Sequence, residues 1–266
     1  MSYLFIFIEI SLISTLWYLY LHKKTRISLR YLYIDNIAVI LPLVGIMFLL
    51  LHKGINIFAL SFISLFSVFF LSFIYTMIRF WRTPKRKIIA KKNEIVSPAD
   101  GNIIYIKKYQ KGEIPVSIKK GLKASLTELT ETSILDKGSF WLIGINMTPF
   151  DVHKNCAPVA GIVILNKHIS GKFLSLKEPK AIIRNERNTF IIKTKEGELF
   201  GIIQTASKLV RKIDSYIKVG QELKKGDWFG MIRFGSQVDI IIPADYSPLV
   251  SIGNQVYAGT TIIARK

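Results

Sequence analysis

Hydrophobic positions follow two different patterns along the chain. In the first 81 residues they form three nearly unbroken runs. Residues 3–21 (YLFIFIEISLISTLWYLYL) contain one charge, Glu9, whereas residues 36–51 (NIAVILPLVGIMFLLL) and 55–78 (INIFALSFISLFSVFFLSFIYTMI) contain none. The first and third are long enough to cross a bilayer as helices; the second is at the short limit and holds Pro42. From about residue 93 the apolar positions break into short β-branched stretches separated by Gly, Pro, Asn and Lys. Examples are NIIYIKK (102–108), FWLIGIN (140–146), GIVILN (161–166), TFIIKT (189–194), LFGIIQ (199–204) and SYIKV (215–219). Strands of this length with frequent turns predict an antiparallel barrel or sandwich. KEGE (195–198) reads as a hairpin loop, and residues 109–139, rich in Lys, Ser, Thr and Gly, as a mobile excursion. ASKLVRKI (206–213) fits a helical turn or a strand equally well. The pattern as a whole predicts an α+β chain, mainly β. A membrane anchor occupies residues 1–81, with transmembrane helices at about 3–21, 36–51 and 55–78, and a β-rich domain occupies 82–266.

Charge placement orients the anchor. The first run lacks a basic start and a small-residue cleavage site, so it reads as retained rather than as a signal peptide. Lys23, Lys24, Arg26 and Arg30 follow it, only His52 and Lys53 separate the second and third runs, and RFWRTPKRKIIAKK (79–92) follows the third. Basic loops stay cytoplasmic. Three spans with the N-terminus outside satisfy every loop; two spans, with 3–21 lying on the surface, leave the main domain on the same side. The expected location is the cell (inner or plasma) membrane, with the large domain on its cytoplasmic face. The chain carries 37 Lys and Arg against 18 Asp and Glu, and most of that excess lies beyond residue 81. Beside a bilayer such basicity points to acidic lipid headgroups. No nucleic-acid-binding motif accompanies it, so no nucleic acid is expected as a partner. Cys156 is the only cysteine, which excludes an internal disulfide and a Cys-based zinc site. No histidine cluster has metal-ligand spacing, and no metal is expected.

Two segments share a hairpin grammar, APVAGIV (157–163) and YIKVGQELKKGDWFGMI (216–232), similar to the half-barrels of biotinyl and lipoyl carrier domains. A non-catalytic, membrane-tethered carrier or adaptor is therefore one reading. Its modifiable lysine would be Lys224 or Lys225 in the KKGD turn, without the apolar flanks that carriers use.

RFGSQVDIIIP (233–243) points elsewhere. Val238 and Ile240–Ile242 form a strong strand ending at Pro243, yet it is entered through Gly235 and Ser236, with Asp239 close behind. Either this is an ordinary turn into a strand, or the backbone at Gly235–Ser236 is a reaction site. Asp100 lies in a Pro-Ala-Asp-Gly turn. His153 lies between a strand and a proline-bounded loop; His22 and His52 fall at span ends, and His168 in a polar loop. Asp100, His153 and Ser236 thus supply the residue types of a Ser-His-Asp constellation, each at a strand end or turn. A chain of this length contains some Asp, His and Ser by chance, so the trio alone is weak evidence.

IVSPADGNI (95–103), PFDVHKNCAPVAGIV (149–163), RNERN (184–188), the block from Gln204 to Pro243 and the anchor together resemble phosphatidylserine decarboxylase proenzymes of the short bacterial or archaeal type. The similarity covers most of residues 93–262 in the family's order. It implies a pyruvoyl-dependent carboxy-lyase that makes its own cofactor. By motif, the chain would cleave itself between Gly235 and Ser236, giving a large subunit (1–235) and a small one (236–266), with Ser236 becoming the pyruvoyl group. His153 would take the Ser236 proton while Asp100 fixes the imidazole tautomer. The mature enzyme would turn phosphatidylserine into phosphatidylethanolamine through an imine, with His153 the candidate proton donor. The implied partners are phosphatidylserine in an anionic membrane, the two subunits of one precursor, and a second copy in a homodimer. Many longer members carry a second histidine three residues before the triad histidine, where this chain has Phe150; this bears on the identity of the acid. Ala160 replaces a frequent polar residue, and the NERN stretch (185–188) has no assigned role. Archaetidylserine, whose chains are ether-linked, is an alternative substrate for the same chemistry. A soluble amine would not call for three apolar spans.

Overall fold

The computed structural model describes residues 1–25, 29–110, 116–119, 121–135, 138–208, 212–233 and 236–266. The chain divides into two compact units, Met1–Trp81 and Arg82–Lys266.

Among the described residues the first unit contains three helices, α1 (Ser2–Thr25), α2 (Leu29–His52) and α3 (Ile57–Trp81). Each is long and apolar enough to cross a membrane. Ile6, Ile10, Leu43, Leu60 and Val68 form the seam between them. Helix α2 starts well before the apolar run and continues through Pro42. That extension brings in Asp35, whose buried carboxylate accepts from Nε of Arg79 on α3 at 2.7 Å. Beside it, Ser14 Oγ donates to Asn36 Oδ1 (2.5 Å) and Asn36 Nδ2 to Thr15 Oγ1 (2.9 Å). In an apolar bundle such side chains survive because they satisfy one another.

Among the described residues the second unit contains sixteen strands and two short helices. In chain order the strands begin with β1 (Glu94–Val96), β2 (Gly101–Tyr109), β3 (Val116–Lys119), β4 (Leu122–Ala124), β5 (Phe140–Met147) and β6 (Lys154–Cys156). Then come β7 (Gly161–Ile169), β8 (Arg187–Lys193), β9 (Leu199–Ala206), β10 (Ile213–Ser215) and β11 (Glu222–Leu223). The last are β12 (Trp228–Ile232), β13 (Ser236–Pro243), β14 (Ser247–Pro248), β15 (Gln255–Val256) and β16 (Ile262–Arg265). Helix α4 (Leu126–Thr130) follows β4, and α5 (Ala181–Arg184) follows β7.

Eight strands make one antiparallel sheet in the order β11-β7-β8-β9-β13-β5-β2-β15, an open half-barrel. Two three-stranded sheets, β1-β16-β14 and β10-β12-β6, and the hairpin β3-β4 complete the unit. Both faces of the large sheet are covered. One carries Ile103, Ile145, Phe190, Ile202, Val238 and Ile240; the other carries Leu142, Ile191, Ile203 and Ile241, packed on Leu126 and Leu129 of α4 and Ile182 of α5. Burial on both sides explains why β13 reads as an apolar run and not as an alternation. The residues from 236 onward supply the middle strand of the large sheet, its β15 edge, and two of the three strands of the β1 sheet.

Some local expectations need correction. Residues 109–139 are more ordered than expected, containing β3, β4 and α4, with residues 111–115, 120 and 136–137 outside the described set. Ser125 and Glu128 close a capping box on α4: Glu128 N donates to Ser125 Oγ (3.1 Å), and Ser125 N to Glu128 Oε2 (2.7 Å). SYIKV contributes only Ser215 to a strand. Tyr216 and Val219 stay largely exposed, and Gly220 (φ +88°) turns the chain, so those residues have no sheet face to bury. His168 lies on β7 rather than in a loop, its Nε2 3.7 Å from Glu186 Oε1. Of ASKLVRKI, Ala206 ends β9 and Ile213 begins β10, with 209–211 outside the described residues.

Candidate active site

Ser236 opens β13 at one end of the large sheet. Its cross-strand partners are Met147, the last residue of β5, and Ala206, the last of β9. Asp100 immediately precedes β2, which runs beside β5 from the same end, with Asn102 opposite Asn146. Residues 148–153 leave β5 there and lead to His153. Antiparallel pairing thus gathers Asp100, His153 and Ser236 at one end of the sheet, although they are far apart in sequence. Gly235, the other half of the expected cleavage bond, lies outside the described residues.

Ser236 is fully buried, and its Oγ donates to Met147 Sδ at 3.2 Å. A thioether is a weak acceptor, so that hydroxyl is held loosely. His153 is also fully buried. Its Nδ1 lies 2.9 Å from the Asp151 carbonyl oxygen, and its own carbonyl accepts from Ile232 N (3.2 Å). Because a carbonyl can only accept, Nδ1 carries the proton and Nε2 is the basic nitrogen. Burial pushes the imidazole down to about 4, against the opposing pull of the Asp151 carbonyl. The ring is therefore neutral at physiological pH.

Asp100, 1% exposed, makes a different set of contacts from the one expected. Its oxygens take Arg86 Nη1 (2.5 Å) and Nη2 (2.7 Å), and Oδ1 also accepts from Ala258 N (2.8 Å). Arg86 Nη1 in turn donates to Ala258 O (2.6 Å), and its guanidinium lies 5.8 Å from the Trp228 ring centre. The tautomer-fixing partner of His153 in this arrangement is the Asp151 backbone, while Asp100 answers to Arg86. Gly101 must be glycine here: it has φ +149°, and a Cβ would strike the Asn146 carbonyl.

Asp151 is buried as well. Its Oδ2 accepts from Thr148 N (2.7 Å) and Thr148 Oγ1 (2.8 Å), and its Oδ1 from Gln255 Nε2 (3.1 Å). Burial raises its carboxyl to about 6; the Thr148 bonds oppose the rise and the charge of Asp100 adds to it. These two shifts have opposite effects on stability. His153 lies below its unfolded value, so the unfolded chain gains the proton first and stability falls as pH drops from about 6.5 to about 4. Asp151 lies above its unfolded value, so its contribution is present at low pH and is lost as pH rises from 3.8 to about 6. Asp151→Asn removes the second effect. Between pH 7 and pH 4 the variant is expected to lose about 2–3 kcal/mol more stability than the parent, measured by denaturant unfolding in detergent.

On the opposite face of β13 from Ser236 lies a second buried polar group. Tyr105 Oη donates a short hydrogen bond to Asp239, while Gln237 Nε2 donates to Tyr105 Oη (2.8 Å) and to Asp239 Oδ1 (2.9 Å). Tyr105 (β2) and Asp239 (β13) both pair with Gly144 on the intervening strand β5. A Cβ at Gly144 would enter the Tyr105 ring, so glycine opens the path across β5. Burial, then the neighbouring Asp239 charge, keeps the phenol protonated as a donor. This accounts for the aspartate inside VDIII.

Asp151, Arg86 and Tyr105 are missed by sequence reasoning. Arg86 sits within a basic run that already had a topological explanation; the available signal was that a buried Asp100 requires a cation. The NERN stretch proves architectural. Asn185 Nδ2 donates to Leu174 O (2.8 Å) and Ala206 O (2.9 Å), and Arg187 donates to the carbonyls of Leu129 (3.1 Å) and Ile183 (2.6 Å) and to Glu131 Oε1 (3.0 Å). Phe150 is buried. Cys156 is buried with its thiol raised to about 12, chiefly by burial, which leaves it inert. Lys225 Nζ donates to Glu94 O at 2.6 Å, folded back rather than presented at a hairpin tip, which disfavours Lys225 as a carrier lysine; Lys224 is exposed. Among the described residues no group of His, Cys, Asp and Glu is placed to hold a metal ion.

The family model described as phosphatidylserine decarboxylase matches residues 73–264. A Methanocaldococcus jannaschii protein named "Putative archaetidylserine decarboxylase proenzyme" is 39% identical over 201 residues, 76% of this chain and 95% of the relative. The phosphatidylserine decarboxylase proenzyme of Cupriavidus pinatubonensis is 35% identical over 71% of this chain and 77% of its own length. That of Geotalea uraniireducens is 32% identical over 74% and 82%. On these matches, the family model running from within α3 to residue 264, the chain belongs to the phosphatidylserine decarboxylase family.

Proposed function

We propose that this protein is a self-cleaving, pyruvoyl-dependent decarboxylase acting on the serine headgroup of a membrane phospholipid. The observation that carries the reading is a fully buried serine hydroxyl at the first position of the central strand, at the sheet end that also holds a buried, neutral histidine. Ser236 suits conversion into a chain terminus. The β13 ladder to both neighbours begins at this residue, so a break just before it leaves the pairing from 236 to 243 in place.

In maturation, His153 Nε2 takes the proton from Ser236 Oγ once the hydroxyl leaves Met147 Sδ. The oxygen attacks the Gly235 carbonyl carbon, the C–N bond to Ser236 breaks, and the freed nitrogen takes up the proton, leaving an ester. Loss of the residue-236 α-proton expels the Gly235 carboxylate and leaves dehydroalanine, whose hydrolysis releases ammonia and leaves a keto group. Glycine at 235 places no side chain in the path of attack. Arg86 and Asp100 on the large fragment grip both backbone groups of Ala258 on the small one, and we assign Asp100 this positioning role. The keto group supplies the electron sink that lets a carboxylate leave as carbon dioxide. His153 is the candidate to hold and return the proton at the α-carbon, since Phe150 cannot.

The substrate is phosphatidylserine; archaetidylserine, named in the Methanocaldococcus jannaschii relative, differs only beyond the headgroup. Three helices long and apolar enough to cross a bilayer support a reaction at a membrane, and the basic loops favour its cytoplasmic face. The pairing of β11 with β7 and of β12 with β6 supports a hairpin layout like that of biotinyl and lipoyl domains. A homodimer is the expected assembly. The test is the intact mass of the purified protein under denaturing conditions. A small fragment beginning at residue 236, with a blocked N-terminus and the mass of a keto group, is expected; a single full-length mass in an active preparation would overturn the reading.

A further inference from the structure

A cavity of about 750 Å³ opens between residues 121–123, at the start of β4, and the segment from Lys172 to Arg184. Its apolar lining includes Leu122, Leu174 and Pro179. Four cations stand around it, Lys123, Lys172, Lys180 and Arg184, against one acid, Glu178. All four cationic side chains are on exposed residues, and among the described residues none is paired with a carboxylate. Elsewhere on this unit basic side chains do find acids, as Arg265 finds Glu94 and Arg233 finds Asp214. Four unpaired cations around an apolar cavity suit a ligand that is anionic at one end and greasy at the other.

The cavity wall is tied to the candidate active site. Lys172 N donates to Arg184 O (2.7 Å) and Glu186 N to Lys172 O (3.1 Å), zipping the two sides together. Asn185, next to Arg184, bonds both backbone groups of Leu174 and the carbonyl of Ala206, the cross-strand neighbour of Ser236. A ligand seated here lies on a scaffold fixed to the strand beside the reacting serine.

We propose that this cavity is an anionic phospholipid site. The phosphodiester sits among Lys123, Lys172, Lys180 and Arg184, and the root of the acyl chains lies on Leu122 and Leu174. The inference rests on the membrane-surface part of the proposed function and gives it a location. A Lys or Arg near an anionic membrane surface strengthens binding roughly fivefold.

The test is hydrogen exchange on the full chain in nanodiscs, one set of phosphatidylcholine alone and one of phosphatidylcholine and phosphatidylglycerol in equal parts. Peptides covering 121–124 and 172–184 should exchange about fivefold more slowly, or slower still, in the anionic discs. Lys172→Glu/Arg184→Glu should abolish the difference, as should Lys123→Glu/Lys180→Glu on the other rim, with exchange of β5 and β13 unchanged in both. Equal exchange in the two discs, or protection that survives both variants, overturns the proposal. Protection by inorganic phosphate in phosphatidylcholine discs to the same extent also overturns it, in favour of a free-anion site. The readout needs no turnover, so an uncleaved wild-type chain would sink the decarboxylase reading while leaving this result to be judged separately.

Discussion

Ser236→Ala yields one unbroken chain with no decarboxylase activity. The substitution removes only a hydroxyl donated to a thioether, so the β13 ladder and its core contacts stay, and stability should change by no more than about 1 kcal/mol. The loss of processing is then chemical rather than structural, because alanine has no oxygen to carry the acyl group. His153→Gln separates the base from its shape: cleavage should slow by about 100-fold or more, visible as precursor persisting on denaturing electrophoresis. If Ser236→Ala were still cut at the same bond, the intramolecular mechanism would be wrong and an external protease would have to be sought.

The second large effect is expected at Arg86. Arg86→Gln leaves the 1%-exposed Asp100 carboxylate without its cation and removes a grip on Ala258. Breaking a buried pair from one side costs about 3–5 kcal/mol. In a unit of this size that corresponds to a fall in melting temperature on the order of 10 °C. The neighbouring, exposed Lys85→Gln should lie within about 0.5 kcal/mol of the parent. Asp100→Asn combined with Arg86→Gln should recover part of the loss, since no unpaired charge remains; thermal unfolding of the four proteins in detergent measures this. Equal stability for Arg86→Gln and Lys85→Gln would mean that the ion pair contributes nothing.

The sequence revealed these features unevenly, for physical reasons. The three apolar helices were legible because a bilayer demands long uninterrupted runs, yet Asp35 fell just outside the run that marked α2. Its partner Arg79 lies a helix away, and no local pattern encodes that contact. Strands β2, β5, β7, β8 and β9 were visible from their β-branched stretches. β13 was visible as a strand but its central place was not, because pairing partners far apart in sequence leave no local trace. Asp100, His153 and Ser236 were found through motif, and topology places them at one sheet end. Their hydrogen bonds were not legible: which carboxylate or carbonyl faces the imidazole depends on how residues 148–153 turn after β5. Tyr105 and Asp239 communicate only because Gly144 lies between them, a relation across three strands.

The weaving of residues 236–266 through two sheet edges, β15 and β14, and two interior positions, β13 and β16, has a thermodynamic corollary. Before the proposed cut ahead of Ser236, an unfolded molecule can return to the native state on its own, by a unimolecular search. Afterwards the same search needs two polypeptides to meet, and the piece that was the middle strand leaves a gap no other segment fills. Melting should therefore be reversible for the precursor and dependent on protein concentration, or irreversible, for the mature form.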